Sequence, residues 1–185
     1  MLGAGCGLRV GEVLGLTVGS VDVDRALLHV SVQLQAAPGQ RPRLVAPKSQ
    51  ASIGSVPLPD SVAVGIDQHL ASCPALVTAG LDGLLIRNSR GGPVWPRTFH
   101  ARTWRQATQA AALPGVRFHD LRHFYASALI AAGESVSTVQ AALGHASAVD
   151  TLDVYAGLWP DRDPALRAAL DNLLTREEEP PTRPD

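Results

Sequence analysis

Cysteine is nearly missing from this chain. Cys6 and Cys73 are the only two, with no spacing that suits a metal site and no disulfide framework, which points to a reducing compartment. No apolar run approaches the roughly 18 residues needed to cross a bilayer. The N-terminus also lacks a basic stretch followed by a long apolar segment, so the sequence reads as a soluble, intracellular protein. No internal repeat is present. Aromatic residues make up 4% of the chain, and two of them are tyrosines, Tyr125 and Tyr155. An excess of positive charge is missing too: 16 Lys+Arg stand against 17 Asp+Glu, a net −1, a balance that does not by itself suggest nucleic acid. Its distribution is uneven. Four basic and seven acidic side chains fall in residues 161–185, leaving 12 Lys+Arg against 10 Asp+Glu in the rest, a mildly basic body of net +2 with an acidic tail.

What is there is a globular composition, 45% hydrophobic in 185 residues, enough for one domain with a real core. Residues 2–16 read as a helix, with Leu8, Val13 and Leu16 apolar and Arg9 and Glu12 on another face. Residues 25–35 alternate as a strand, and 41–46 and 52–58 follow as shorter strands around a turn at 47–50, which would set Lys48 at a hairpin tip. Helices are expected over 59–72, 97–112 and 120–132. In the last of these Leu121, Phe124, Tyr125, Ala128, Leu129 and Ala132 form one apolar stripe, with His119 and Arg122 on the opposite side. Gly133 should end that helix, Ser135 cap the next and Gly144 stop it. A short helix bearing Tyr155 follows, then an amphipathic helix over 162–175 and a disordered tail. The fold class is therefore α+β, mainly helical with a small three-stranded antiparallel sheet.

Six polar residues stand out in order: Arg9, Lys48, His119, Arg122, His145 and Tyr155. His119 and Arg122 are three apart, and Tyr155 follows His145 by ten. Two guanidinium groups offer planar paired donors for phosphate oxygens, and imidazoles move protons near neutrality. A phenol can attack phosphorus once its proton is removed. Such a set can cleave a phosphodiester without metal or cofactor. Each residue also has a plainer reading. The arginines could form surface salt bridges, Glu12 being at helical spacing from Arg9. Lys48 could be a solvated lysine, and the histidines could be structural. Tyr125, in the apolar stripe, reads as core. Arg97, His100, Arg102 and Arg105 mark one helix either as a DNA-contacting face or as a solvated face packed through Phe99 and Trp104.

The motifs GLRVGE around Arg9, PKS at Lys48, HDLRH over 119–123, LGH over 143–145 and TLDVYAGLWPD around Tyr155 resemble the tyrosine recombinase (phage integrase) family, the last most closely its actinobacterial and phage members. The resemblance runs from about Leu2 to Pro160. It implies that Arg9 and Arg122 hold the scissile phosphate and that Glu12 orients Arg9. Lys48 would protonate the leaving 5′ oxygen, which requires neighbouring arginines to draw its pKa down from an ordinary ~10.4. His119 and His145 would donate to phosphate or exchange a proton with the nucleophile, Tyr155. His123 would support the helix rather than act in catalysis.

The resemblance further implies double-stranded DNA as partner, no cofactor, a cytoplasmic protein at the nucleoid, and a homo-oligomer. In that assembly the 161–175 helix packs on a neighbouring protomer. The family's N-terminal DNA-clamp domain is not encoded here, so the chain reads as a fragment or a degraded gene whose DNA grip is weak when alone. Two rival readings stay open: a type IB topoisomerase-like enzyme that shares the chemistry, and a non-catalytic remnant that binds DNA.

Overall fold

Two apolar clusters organise the molecule, and the helix Phe118–Ala131 runs through both. The structure is a computed structural model and describes residues 1–37, 39–47, 50–72, 83–159, 167 and 170. The first cluster gathers Leu8, Val13 and Leu16 with Leu28, Val30, Leu58, Val62, Ile66, Leu85 and Phe118. The second holds Tyr125, Ala126, Ile130, Val139, Leu143 and Tyr155. Each large side chain buried this way contributes about 1.5–3 kcal/mol of transfer free energy.

The N-terminal segment is two helices where one is expected: α1 (Leu2–Gly5) and α2 (Val10–Gly15). The chain breaks at Gly7, whose φ of 65° lies in the left-handed region. A Cβ there would stand 2.5 Å from the ring of Tyr125, so both the conformation and the space require glycine. Gly15 allows a second close approach, since a Cβ would sit 2.9 Å from the backbone of Gln33 and Leu34.

The expected strand over 25–35 is also interrupted. β1 (Val21–Asp22), β2 (Leu27–Val30) and β5 (Gly54–Pro57) form a three-stranded antiparallel sheet in the order β1-β2-β5. β3 (Gln33–Gln35) and β4 (Arg43–Val45) form a separate antiparallel pair. Leu27 pairs with Pro57 and Val30 with Gly54, whereas Gln33 pairs with Val45 and Gln35 with Arg43. β4 and β5 therefore do not form a hairpin with each other. Lys48 itself is outside the described residues.

The remaining elements are helical. α3 spans Asp60–Ser72. One helical run then holds α4 (Pro96–Thr98), a π-helical stretch (Phe99–Trp104) and α5 (Arg105–Ala110). Phe99 and Trp104 pack edge-on against Phe118, with ring centroids 5.5 and 5.1 Å away. α6 (Phe118–Ala131), α7 (Val136–Leu143) and α8 (Ala148–Tyr155) follow. Ser135 caps α7 by accepting the Thr138 N–H, and Gly133 and Gly144 take positive φ at the helix ends, as the sequence predicts. Of the expected 162–175 helix the structure describes Arg167 and Leu170, both helical and exposed; the rest lies outside the described residues.

The buried face of α6 is rotated from the expected stripe. Phe118, Arg122, Tyr125, Ala126 and Ile130 are buried, whereas Phe124 is 63% exposed. Arg122 thus lies on the core side of its helix, not opposite it. Apolarity alone assigns the stripe to Phe124, but the arginine finds buried carbonyl partners and the phenylalanine does not need them.

Candidate active site

Arg9 is the N-cap of α2, and its geometry follows from Glu12 three residues on. The Glu12 carboxylate accepts the Arg9 backbone N–H at 2.8 Å and the guanidinium Nη1 at 2.9 Å. One carboxylate thereby caps a helix and fixes a side chain, a reciprocal arrangement suited to a helix start. Glu12 is buried, while the Arg9 side chain keeps 36% of its surface. Arg9 Nη1 also donates to Ser52 Oγ at 3.1 Å, and that hydroxyl reaches the Gly144 carbonyl at 3.4 Å. Ser52 so connects α2, the segment ahead of β5 and the end of α7. The contact is tight: a Cβ on Gly144 would lie 2.7 Å from the Ala51 carbonyl oxygen.

Arg122 approaches the same place from inside. It is 4% exposed, donates through Nη1 to the Gly7 carbonyl at 2.7 Å and through Nη2 to the Leu143 carbonyl. A buried cation requires such partners, because a desolvated unpaired charge is costly. Burial, and then the charge of Arg9, draw its pKa down to about 10, partly offset by Glu12 and Tyr155. It remains cationic at neutral pH. Arg9, Glu12, Ser52, Arg122 and Gly144 line one small cleft of about 50 Å³ at the seam between the two cores. Glu12, paired with Arg9, is the one carboxylate among the described residues that line the cleft, and Arg122 is held there by carbonyls.

The histidines and Tyr155 complete the cluster. Tyr155 ends α8 and is 5% exposed, its ring within the second core. Its hydroxyl lies 2.6 Å from His123 Nδ1. Burial raises the phenol pKa and the Arg122 charge opposes that rise. His119, in the first turn of α6 and exposed, stands edge-on to His123 with ring centroids 4.7 Å apart. Its pKa is lowered by burial, then by His123, Arg122 and Arg9. His145 follows the left-handed Gly144, and its Nδ1 lies 3.0 Å from the hydroxyl of fully buried Thr151. Burial and then the arginines Arg122 and Arg9 lower its pKa too. Both imidazoles thus feel both guanidinium groups.

Three comparisons bear on this arrangement. The phage integrase family model matches residues 1–160. The chain belongs to the phage integrase family. Among curated relatives, the tyrosine recombinase XerC of Brucella melitensis is 33% identical over 159 residues, covering 85% of this chain and 44% of the relative. The ICEBs1 integrase of Bacillus subtilis is 28% identical over 177 residues, covering 91% of this chain and 46% of the relative. The chain spans about half the length of the curated relatives it matches. Among solved structures, the Tn1549 transposon integrase in complex with circular intermediate DNA superposes with a TM-score of 0.74 at 22% identity, over 93% of this chain and 57% of that one. The XerA recombinase gives 0.63 at 22%, over 97% and 55%. These establish the integrase fold, mainly helical with a small antiparallel sheet.

Of the six residues singled out in the sequence, the integrase fold gathers Arg9, His119, Arg122, His145 and Tyr155 into one electrostatic neighbourhood, with the Glu12 carboxylate on Arg9. Lys48 lies outside the described residues. Arg97, His100, Arg102 and Arg105 are exposed and hold no ion pair among the described residues. Phe99 and Trp104 on the same helical run pack against Phe118. Three contacts escape the sequence reading: His123 on the Tyr155 hydroxyl, Thr151 on His145, and Ser52 between Arg9 and Gly144. Thr151 lies one helical turn before Tyr155, a spacing that could have marked it. Ser52 and His123 depend on segments 43 and 32 residues away, with no local signal. Among the described residues no group of His, Cys, Asp or Glu is placed to hold a metal ion, and no helix is long and apolar enough to cross a membrane.

Proposed function

We propose that this chain carries the catalytic unit of a site-specific DNA tyrosine recombinase, spanning residues 1–160. Tyr155 attacks a DNA phosphate, forms a 3′-phosphotyrosyl link and frees a 5′-hydroxyl; attack by another strand's hydroxyl reverses the step and completes exchange. The observation that carries this reading is the pair Arg9 and Arg122, fixed by Glu12, Ser52 and two backbone carbonyls on one cleft, with the Tyr155 phenol in the field of Arg122. Fixed donors aimed at non-bridging phosphate oxygens stabilise the charge of a phosphorane-like transition state without metal. His119 and His145 add donors whose protonation an anion would favour. Lys48 supplies the proton to the 5′ oxygen. Arg97, Arg102 and Arg105 meet the duplex backbone, whose phosphates reward exposed unpaired guanidinium groups. The names of the relatives and the DNA held by the Tn1549 integrase support the same substrate. Assembly as a homo-oligomer on DNA, with residues 161–175 on a neighbouring protomer, belongs to this proposal.

The test is covalent capture. Nicked duplexes with a randomised central region are incubated with the chain, and protein–DNA adducts are isolated under denaturing conditions and sequenced. Wild type and Tyr125→Phe should yield adducts enriched for one sequence, and Tyr155→Phe none. An adduct that survives Tyr155→Phe would sink the mechanism.

A further inference from the structure

We propose that His123, rather than His119 or His145, is the proton acceptor for Tyr155. This rests on the recombinase reading. As the phenolic oxygen bonds to phosphorus, the hydroxyl proton passes to His123 Nδ1, the bond from phosphorus to the 5′ oxygen breaks, and the leaving oxygen takes a proton from the general acid assigned to Lys48. On rejoining, His123 returns the proton to the departing phenolate.

Three observations carry the assignment. First, the 2.6 Å contact between His123 Nδ1 and the Tyr155 hydroxyl is the only hydrogen bond of that hydroxyl among the described residues. The other two histidines are otherwise placed. His145 uses Nδ1 on Thr151, and His119 meets the edge of His123 instead of the phenol.

Second, the direction of the bond is constrained. Tyr155 is 5% exposed, and a buried hydroxyl proton without an acceptor is disfavoured. Were Nδ1 protonated, the phenol would accept and its own proton would have no partner among the described residues. The phenol therefore donates, Nδ1 accepts, and His123 carries its proton on Nε2. That is the tautomer a base needs.

Third, the pair is preorganised. The Tyr155 ring is wedged among Ile130, Val139 and Leu143, and His123 is one residue along α6 from Arg122, itself pinned at both ends. Phosphate held by Arg122 would lie beside the phenol while His123 holds its proton. The groups that face His123 are the ring of His119 from its own helix and the Tyr155 phenol from α8.

The experiment has two parts. With the full chain labelled by 15N-histidine and 13Cζ-tyrosine, His123 should show a protonated Nε2 and an accepting Nδ1, and Tyr155→Phe should shift its resonances. Unchanged His123 resonances would overturn the proposal whatever the activity. Adduct formation on the captured sequence is then timed for His123→Ala and His123→Gln. Each should slow cleavage on the order of a hundredfold or more with DNA binding retained, since general base catalysis is worth about that. Glutamine can accept the hydrogen bond but cannot take the proton, so normal rates for His123→Gln would reduce His123 to a positioning residue and overturn the assignment. Replacing Tyr155 with 3,5-difluorotyrosine, a more acidic phenol, should restore His123→Ala far more than it speeds wild type. Equal effects on both would exclude proton transfer. Faster cleavage by His123→Ala would mean that the contact holds the phenol back, which also overturns it. Adducts from wild type but undiminished in the variants would defeat this inference alone; no adduct from wild type would defeat the recombinase reading and this one with it.

Discussion

The same device occurs twice in this molecule with opposite consequences. At the start of α2, Arg9 is held by Glu12 three residues on; at the start of α6, Arg117 is held by Asp120 three residues on. In both, the carboxylate takes the backbone N–H of the arginine at 2.8 Å and also binds its guanidinium, at 2.9 Å in the first and 2.8 Å in the second. Locally they are near copies. Yet Glu12 is buried and 4% exposed, and Arg9 continues to Ser52 and the cleft, whereas the Arg117 side chain is 74% exposed and has no further partner among the described residues. An Arg-x-x-acid signature encodes a helix start. Whether it also builds a binding site depends on what closes over it.

The largest expected contrast is between removing the two acids. Glu12→Ala strips a buried carboxylate of its charge-assisted bonds and frees Arg9 beside Arg122, which should cost about 2–3 kcal/mol in a denaturant titration. It should also weaken DNA cleavage through loss of Arg9 geometry. Asp120→Ala removes a solvent-exposed cap and should lower Tm much less, with cleavage retained. Comparable losses of stability from the two variants would break the distinction.

A smaller effect concerns anions and pH. His119 and His145 are held below the ordinary imidazole range by burial first, and then by positive charge that includes both cleft arginines. Each therefore binds fewer protons folded than unfolded. Their contribution to stability falls as pH drops from the unfolded value near ~6.5 toward the lower folded one. An anion at Arg9 and Arg122 counters that charge and raises both folded values. Sulfate should then raise Tm, and by more at pH about 5.5 than at about 7.5, where imidazoles are neutral in either state. Arg9→Ala should abolish the gain and Arg117→Ala should preserve it. A gain that follows Arg117 instead would place the anion at the wrong copy.

The smallest effect isolates the exposed copy. Hydrogen bonds from Arg117, side chain and then backbone, hold the Asp120 carboxyl below its usual range. A depressed carboxylate contributes stability above its unfolded pKa of ~3.9 and loses it as pH falls through the folded value. Asp120→Asn should therefore flatten the acid side of a Tm-against-pH curve only below about pH 4. The variant should sit below wild type at neutral pH, where the carboxylate contributes in full, and converge on it in acid; a neutral-pH Tm equal to wild type would contradict that.

Much of the architecture was legible in the sequence because its signals are local. Ser135 and Gly144 bound α7 as expected, since capping and positive φ involve neighbours within a turn. The apolar pattern of residues 120–132 likewise marks a helix, observed as α6. The errors fall where distant segments meet. The run over 2–16 has helical periodicity, but the Tyr125 ring occupies the space of a Cβ at Gly7 and breaks it. Phe124 looks like core by hydropathy and is exposed, while Arg122 looks like surface and is buried, because hydropathy cannot register two backbone carbonyls arriving from elsewhere. The resemblance makes His123 a support for its helix, whereas its partner in the structure is the phenol of α8.

By itself, then, the sequence determined which chemical groups are available, the order in which they occur, and the caps and turns that start and stop each helix. These rest on backbone dihedrals and contacts a few residues apart, which hold in any surroundings. Only the tertiary structure decided which of two similar arginine–acid caps became part of a cleft, which face of α6 turned inward, and which histidine met Tyr155. Those outcomes depend on desolvation, and desolvation is a property of everything that packs around a group rather than of the group's neighbours in the chain.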